Sequence, residues 1–186
     1  MFGRLPKEVI IDGQTYPIRA DFRDCLLILI AFNDKNLSDD EKGIVALEIF
    51  YKEVPDNTEE AYNQMVWFLD GGKDADAEED NHTPVRPKVY DWEHDEQIIF
   101  SAINKVAGRE VRNDDFLHFW TFLGYFSEIG EGVFSTVVSI REKLAKHKKL
   151  EKWEQDFRRN NKQLVDLPKD DVLSQESKDA LTDLIG

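Results

Sequence analysis

Residues Asn113 to Lys146 read NDDFLHFWTFLGYFSEIGEGVFSTVVSIREKLAK, and this stretch predicts the centre of the fold. Asp114 or Asp115 can cap the start of a helix, because a carboxylate at that position accepts from free backbone N–H groups. From Phe116 to Ile129, apolar side chains cover almost every direction of a helix. A helix this apolar must be surrounded by other elements.

Gly130 and Gly132 end this helix, since glycine adopts the left-handed cap without steric cost. A second helix follows, and its inward face is Phe134, Val137, Val138, Arg141, Leu144 and Ala145. We therefore expect a buried helical hairpin with the other helices packed around it. The expected core includes Leu29, Ile99, Phe116, Phe119, Trp120, Leu123, Phe126 and Val137.

The remaining segments predict a mainly α fold. Asp12-Gly13 between two apolar runs is typical of a β-hairpin, and Pro17 makes the second strand an edge. Capped amphipathic stretches predict helices at about 22–33, 38–52, 58–70 and 92–107. We expect a single-domain helical bundle around the central helical hairpin, with a small peripheral N-terminal β-hairpin.

Two segments differ in character from this bundle. Residues 73–88 hold five carboxylates and two prolines and predict an acidic loop inside a helical domain at 1–146. Residues 147–186 predict a C-terminal amphipathic helical arm with a narrow apolar stripe. This arm either docks on its own domain or binds a neighbouring copy or a partner's helix. Its candidate partner-binding residues are Leu150, Trp153, Phe157, Leu164, Val165 and Leu167.

The composition excludes several classes of partner. The formal charge is −14, with 38 acidic against 24 basic residues, which argues against nucleic acid and against anionic membrane surfaces. No apolar run reaches membrane-spanning length, and the N-terminus lacks the apolar stretch of a signal peptide. The single cysteine, Cys25, lies in an apolar run, and we expect an inert core thiol in a reducing cytoplasm.

No motif predicts catalysis strongly, and we expect no catalytic residue, metal or cofactor. The run Asp74-x-Asp76-x-Glu78-x-Asp80 resembles a calcium loop but lacks its glycine and its final glutamate. The adjacent His94 and Asp95 leave one enzymatic alternative, an HD-type metal-dependent phosphohydrolase. The further ligands of such a site would be His82, His118 or His147.

Asp95 and Arg141 form the most informative pair. Each lies on the apolar face of its own predicted helix, and a buried charge is costly unless an opposite charge pairs with it. We therefore predict a structural ion pair between them that fixes how the two helices pack. Two alternatives are a catalytic acid held by an arginine clamp, and an arginine whose head reaches water.

Several segments together, in their order and spacing, match one known pattern. They are Leu5-Pro6 with Val9, Asp12-Gly13, Tyr16-Pro17-Ile18, Asp21-Phe22-Arg23, Leu37-Ser38 with Glu41-Lys42, Phe50-Tyr51 before Pro55, Glu60-Ala61, Tyr90-Asp91 with Asp95 and Ile99-Phe100, Leu117 to Trp120 with Phe122, Phe134 to Arg141, and Phe157 to Lys162 before Leu167-Pro168. This pattern resembles the siphophage tail protein family called "Gp fifteen". The chain departs from the family pattern at Phe119, where a second tryptophan is usual, and at Gly108 to Val111.

This resemblance implies a role in phage tail morphogenesis. Proteins of this family are encoded beside the tape-measure gene and are similar in role to tail assembly chaperones. The resemblance therefore implies the tape-measure protein and the tail-tube protein as partners, while the C-terminal arm by itself leaves self-association as a further expectation. It places the protein in the cytoplasm of the infected bacterial host and carries no catalytic residues. A structural tail or head–tail completion protein of the virion is the alternative.

Overall fold

A computed structural model describes residues 3–73 and 88–168 and confirms the mainly α fold with an N-terminal β-hairpin. The strands are β1 (Glu8–Ile11) and β2 (Gln14–Pro17), and a 3-10 turn spans Val111–Asn113. The helices are α1 (Phe22–Asn33), α2 (Asp39–Phe50), α3 (Thr58–Leu69), α4 (Glu96–Ala107), α5 (Phe119–Ser127), α6 (Val133–Ala145), α7 (Lys152–Asn160) and α8 (Lys162–Val165). Most of the acidic loop at 73–88, and the last part of the arm beyond Pro168, lie outside the described residues.

The β-hairpin turns where the Asp12-Gly13 pair predicts. Both turn residues have positive φ, 51° and 81°, as a tight two-residue connection requires. The strands pair antiparallel, with Val9 opposite Tyr16. Val9 and Ile11 are buried whereas Ile10 between them is exposed, so the ribbon packs one face on the helices.

The helices pack on one another in a series of neighbouring contacts that runs from α3 and α2 to α8 and α7. The helix α1 packs on α2 and on α5, α5 packs on α4, and α4 packs on α6. The short helix α8 lies against α6 and also contacts α7. Therefore α2 with α3 lies at one end of this series of contacts, and α7 with α8 lies at the other.

The core is rich in aromatic side chains and centres on α5. Phe122 stacks on Phe22 with ring centroids 4.8 Å apart. Cys25 is buried, as expected, and its burial raises the pKa of the thiol. Of the expected core residues, Ile99, Phe119 and Val137 are buried, and Leu29, Trp120, Leu123 and Phe126 are half-buried against the core.

The prediction for Phe116 is wrong, because its side chain is 46% exposed. Helix α5 begins only at Phe119, and Phe116 precedes it. The ammonium group of Lys7 covers the Phe116 ring at 4.6 Å from its centroid.

The start of α5 shows why the helix is shorter than its apolar run. Backbone N–H groups of Phe22 and Phe119 donate to the carbonyls of Leu117 and Ala20, at 3.0 and 2.8 Å. The segment before α5 is therefore extended and pairs with the segment before α1. The cap is His118, whose Nδ1 accepts from the Trp120 N–H at 3.1 Å, and not Asp114 or Asp115.

Candidate functional site

The structure brings Asp95 and Arg141 together at the contact between α4 and α6. Asp95 directly precedes α4, and Arg141 lies in the second half of α6. The Arg141 Nη1 atom lies 2.5 Å from Asp95 Oδ2, and Nη2 lies 2.9 Å from Oδ1. Asp95 is 1% and Arg141 6% exposed. The pair is thus a buried, bidentate ion pair, the geometry in which arginine and carboxylate bind most strongly.

Arg141 also binds three backbone carbonyls. Its Nε donates to Val165 O at 2.7 Å, Nη1 to Val89 O at 3.1 Å, and Nη2 to Leu164 O at 2.8 Å. Together with the two bonds to Asp95, these contacts use all five N–H donors of the guanidinium group. One side chain therefore joins the segment before α4, the helix α6 and the end of α8.

The Asp95 carboxylate is closed to solvent and bound by donors of the protein. Its side chain is fully shielded from solvent, and Oδ2 also accepts from the Asp91 N–H at 2.9 Å. The neighbouring His94 Nε2 lies 4.0 Å from Oδ1. Within residues 3–73 and 88–168, no three His, Cys, Asp or Glu side chains form a group able to hold a metal ion, and His82 lies outside those ranges. The burial of Asp95 and its bidentate pairing with Arg141 agree with the structural interpretation of this pair.

The six candidate partner-binding residues have different environments. Leu150 and Val165 are buried in a second apolar cluster with Val137 and Ile140 of α6. Phe157 and Leu164 are half-buried against the same cluster, and Leu167 is also half-buried. Trp153 is 54% exposed. Their role in binding a partner stays a prediction, and Trp153 is the one of the six whose side chain is open to solvent.

The inward side of α7 is partly polar, which the sequence analysis missed. Glu154 is 1% exposed and accepts from Lys143 Nζ at 2.6 Å and from the Glu151 N–H at 2.8 Å. The hydrogen bond from Lys143 lowers the pKa of Glu154 below its usual value. The signal for this residue was the three-residue spacing of Glu151 and Glu154, which is that of a capping box.

Arg19 and Arg23 were also missed, although both hold backbone carbonyls. Arg19 Nη1 donates to the carbonyls of Glu48 and Ile49 at 2.7 and 2.8 Å, at the C-terminal end of α2. A cation there is favourable because the helix end carries partial negative charge. Arg23 Nη2 donates to the carbonyl of Asp114 at 2.7 Å, in the segment before α5.

A groove of about 490 Å³ lies between α4 and the connection from α5 to α6. Its lining is mainly apolar, and Val106 and Val133 are 36% and 51% exposed. Lys105 Nζ donates to the carbonyl of Glu131 at 3.2 Å and so links the two sides. The lining residues are Ile98, Ser101, Ala102, Lys105, Val106, Glu128 to Ser135. The spacing of Ile98, Ala102 and Val106 by four residues was the sequence signal for one wall.

Comparisons with known proteins place the chain among phage proteins. The model of a family described as Bacteriophage Gp15 protein matches residues 1–167. The searches of curated proteins and of solved structures found no match. None of the helices in the described part of the chain has the length and hydropathy needed to cross a bilayer.

Proposed function

Because the chain belongs to the Bacteriophage Gp15 protein family, we propose that it acts in phage tail morphogenesis as a tail assembly chaperone. In this role it keeps the tape-measure protein soluble in the cytoplasm of the infected host and helps to recruit tail-tube subunits. The role is one of binding and not of catalysis, which agrees with the closed environment of Asp95.

The observation that supports a holding role is the groove between α4 and the α5–α6 connection. Its walls present aliphatic side chains to solvent at Val106 and Val133. A groove of this kind accepts the apolar face of an amphipathic helix, and a tape-measure protein is expected to be long, helical and apolar. Glu128 and Glu131 lie at the groove, and the net charge of −14 keeps a complex with an apolar partner in solution.

Co-expression with the tape-measure protein tests this proposal. The intact chain should co-purify with the tape-measure protein and keep it in the soluble fraction. Val106→Glu combined with Val133→Glu places two charges in the groove and should abolish the complex. Ile10→Glu is the matched control, because Ile10 is 64% exposed on the β-hairpin and does not line the groove. The chaperone role is wrong if the intact chain does not retain the tape-measure protein. The groove is not its binding site if both variants retain it equally.

Purified virions distinguish the chaperone from the structural alternative. A chaperone leaves before the tail is complete, so mass spectrometry of mature virions should not detect this chain. Detection at a stoichiometry similar to that of other tail proteins would favour a structural tail or head–tail completion protein.

A further inference from the structure

The charges of the chain are distributed very unevenly. Residues 141–162 contain nine Lys and Arg against four Asp and Glu, whereas the rest of the chain contains fifteen against thirty-four. Arg141 is buried against Asp95, but the eight other basic residues make the end of α6, α7 and the connection between them a basic region in an otherwise strongly acidic protein. Such an asymmetry creates opposite potentials on two parts of one surface.

The basic region carries an exposed aromatic side chain. Trp153 is 54% exposed, and Lys149 and Lys152, which lie close to it in the chain, are exposed too. The Trp153 indole Nε1 donates to Glu151 Oε2 at 3.0 Å, so the ring is held in one orientation. Exposed tryptophans are enriched where proteins bind proteins. We call Lys149, Lys152 and Trp153 the α7 surface.

A complementary surface lies on α2. Asp40, Ile44 and Glu48 are spaced by four residues and therefore share one face of this helix. All three are exposed, and Ile44 is 58% exposed. This face thus has an aliphatic side chain flanked by carboxylates, and we call these three residues the α2 face.

We propose that the α7 surface of one molecule binds the α2 face of a second copy of this chain. The pairing places Trp153 against Ile44 and the two lysines against the two carboxylates. Because Trp153 and Ile44 are both more than half exposed in the folded chain, they do not pack on each other within one molecule, and the pairing forms between molecules. It joins two different surfaces head to tail and leaves one of each free for a further copy. The inference does not depend on the chaperone role.

A nucleic acid is the other partner that a basic surface with an aromatic side chain could bind. The fifteen basic and thirty-four acidic residues outside 141–162 oppose it, because a polyanion is repelled by most of this molecule. A second copy avoids this repulsion, because its acidic α2 face meets the basic α7 surface. The observations therefore favour self-association.

Sedimentation velocity at rising protein concentration tests the proposal. In buffer of about 20 mM ionic strength, the mass should increase from the 21.6 kDa of one chain toward assemblies larger than a dimer. In about 0.5 M salt, where charges are screened beyond a few ångströms, most of the association should disappear. Lys149→Glu with Lys152→Glu should weaken it about tenfold or more, and so should Asp40→Lys with Glu48→Lys.

The mixture of the two charge-reversed variants is the decisive measurement. Each variant alone presents like charges on both surfaces, whereas a mixture again offers opposite charges, so association should return only on mixing. Arg4→Glu with Lys73→Glu makes the same charge change as the lysine pair but at exposed residues that belong to neither surface, and should associate like the natural sequence. The melting temperature of every variant is measured as well, to check that each one is folded.

Three results would overturn the proposal. The first is a chain that stays monomeric at low salt, and the second is a mixture that fails to associate. The third is a monomer that binds a single-stranded oligonucleotide through Lys149 and Lys152, which would assign the α7 surface to a nucleic acid.

Discussion

Replacing Arg141 by methionine tests how much of the fold depends on one buried ion pair. Methionine is apolar and unbranched, so it fills much of the space of the arginine stem but removes the charge. The change leaves the Asp95 carboxylate, whose side chain is 0% exposed, without its counter-ion. It also removes the donors to the carbonyls of Val89, Leu164 and Val165.

The expected loss follows from these contacts. Removing one partner of a buried pair costs roughly 3–5 kcal/mol, because the other charge stays buried and unpaired. Because three backbone carbonyls also lose their donor, the loss of stability in Arg141→Met should lie in the upper part of that range. A domain of this kind is stable by only about 5–15 kcal/mol, so the variant should lie close to its unfolding threshold. The melting temperature should fall by about 2–4 °C for each kcal/mol lost.

Urea unfolding followed by circular dichroism measures this loss, and a double-mutant cycle identifies its origin. Asp95→Asn, Arg141→Met and the double variant should show that removing both charges costs clearly less than the sum of the single losses. Arg159→Met is the control, because Arg159 pairs with Asp156 while 73% exposed and should matter by less than about 1 kcal/mol. The reasoning is refuted if Arg141→Met costs no more than this control, or if the single losses simply add.

Three further substitutions or truncations test other parts of the structure. Gly72→Ala should lower the urea midpoint more than Gly71→Ala, because both glycines have positive φ but only a methyl group at residue 72 would lie 2.6 Å from the Trp120 ring. Burial lowers the pKa of His118, so the folded state binds its proton less readily than the unfolded chain. As the pH falls below about 6.5, the natural protein should therefore lose stability more steeply than the His118→Asn variant does. Asparagine keeps a capping side chain at this position but does not titrate. Truncation after Lys146 should lower the melting temperature, since it removes the side chains that cover one face of α6; an unchanged melting temperature would show that the C-terminal segment contributes nothing to folding.

The contact between Asp95 and Arg141 was predictable because helical periodicity is a local property. Counting 3.6 residues per turn places each residue on the inward face of its predicted helix, and the cost of a buried charge then requires a partner. The prediction holds for the contact although α4 begins at Glu96, one residue after Asp95. The three carbonyls bound by the same guanidinium were not predictable. They depend on where α8 ends against α6 and on how the chain approaches α4, and neither has a signal in the residues around position 141.

The error at Phe116 has a similar cause. The apolar run from Phe116 onward is continuous, so periodicity gives no reason to begin the helix three residues later. The helix begins at Phe119 because the preceding segment pairs with the residues before α1, nearly 100 positions earlier in the chain. Long-range pairing of this kind overrides local helix propensity. The capping role of His118 follows from that pairing and could not be inferred without it.

The narrow stripe of the C-terminal segment predicts shallow packing, and the structure shows how that stripe is divided. Leu150 and Phe157 pack toward α6, and Glu154 between them is satisfied by Lys143 and by its own helix cap. Because one inward position is already filled by a paired carboxylate, the apolar stripe is too narrow to bury Trp153 as well. The same polar pairing that holds α7 on the domain therefore leaves its tryptophan on the outside. Docking on the parent domain and binding a partner are then compatible roles for one helix, since they use different sides of it.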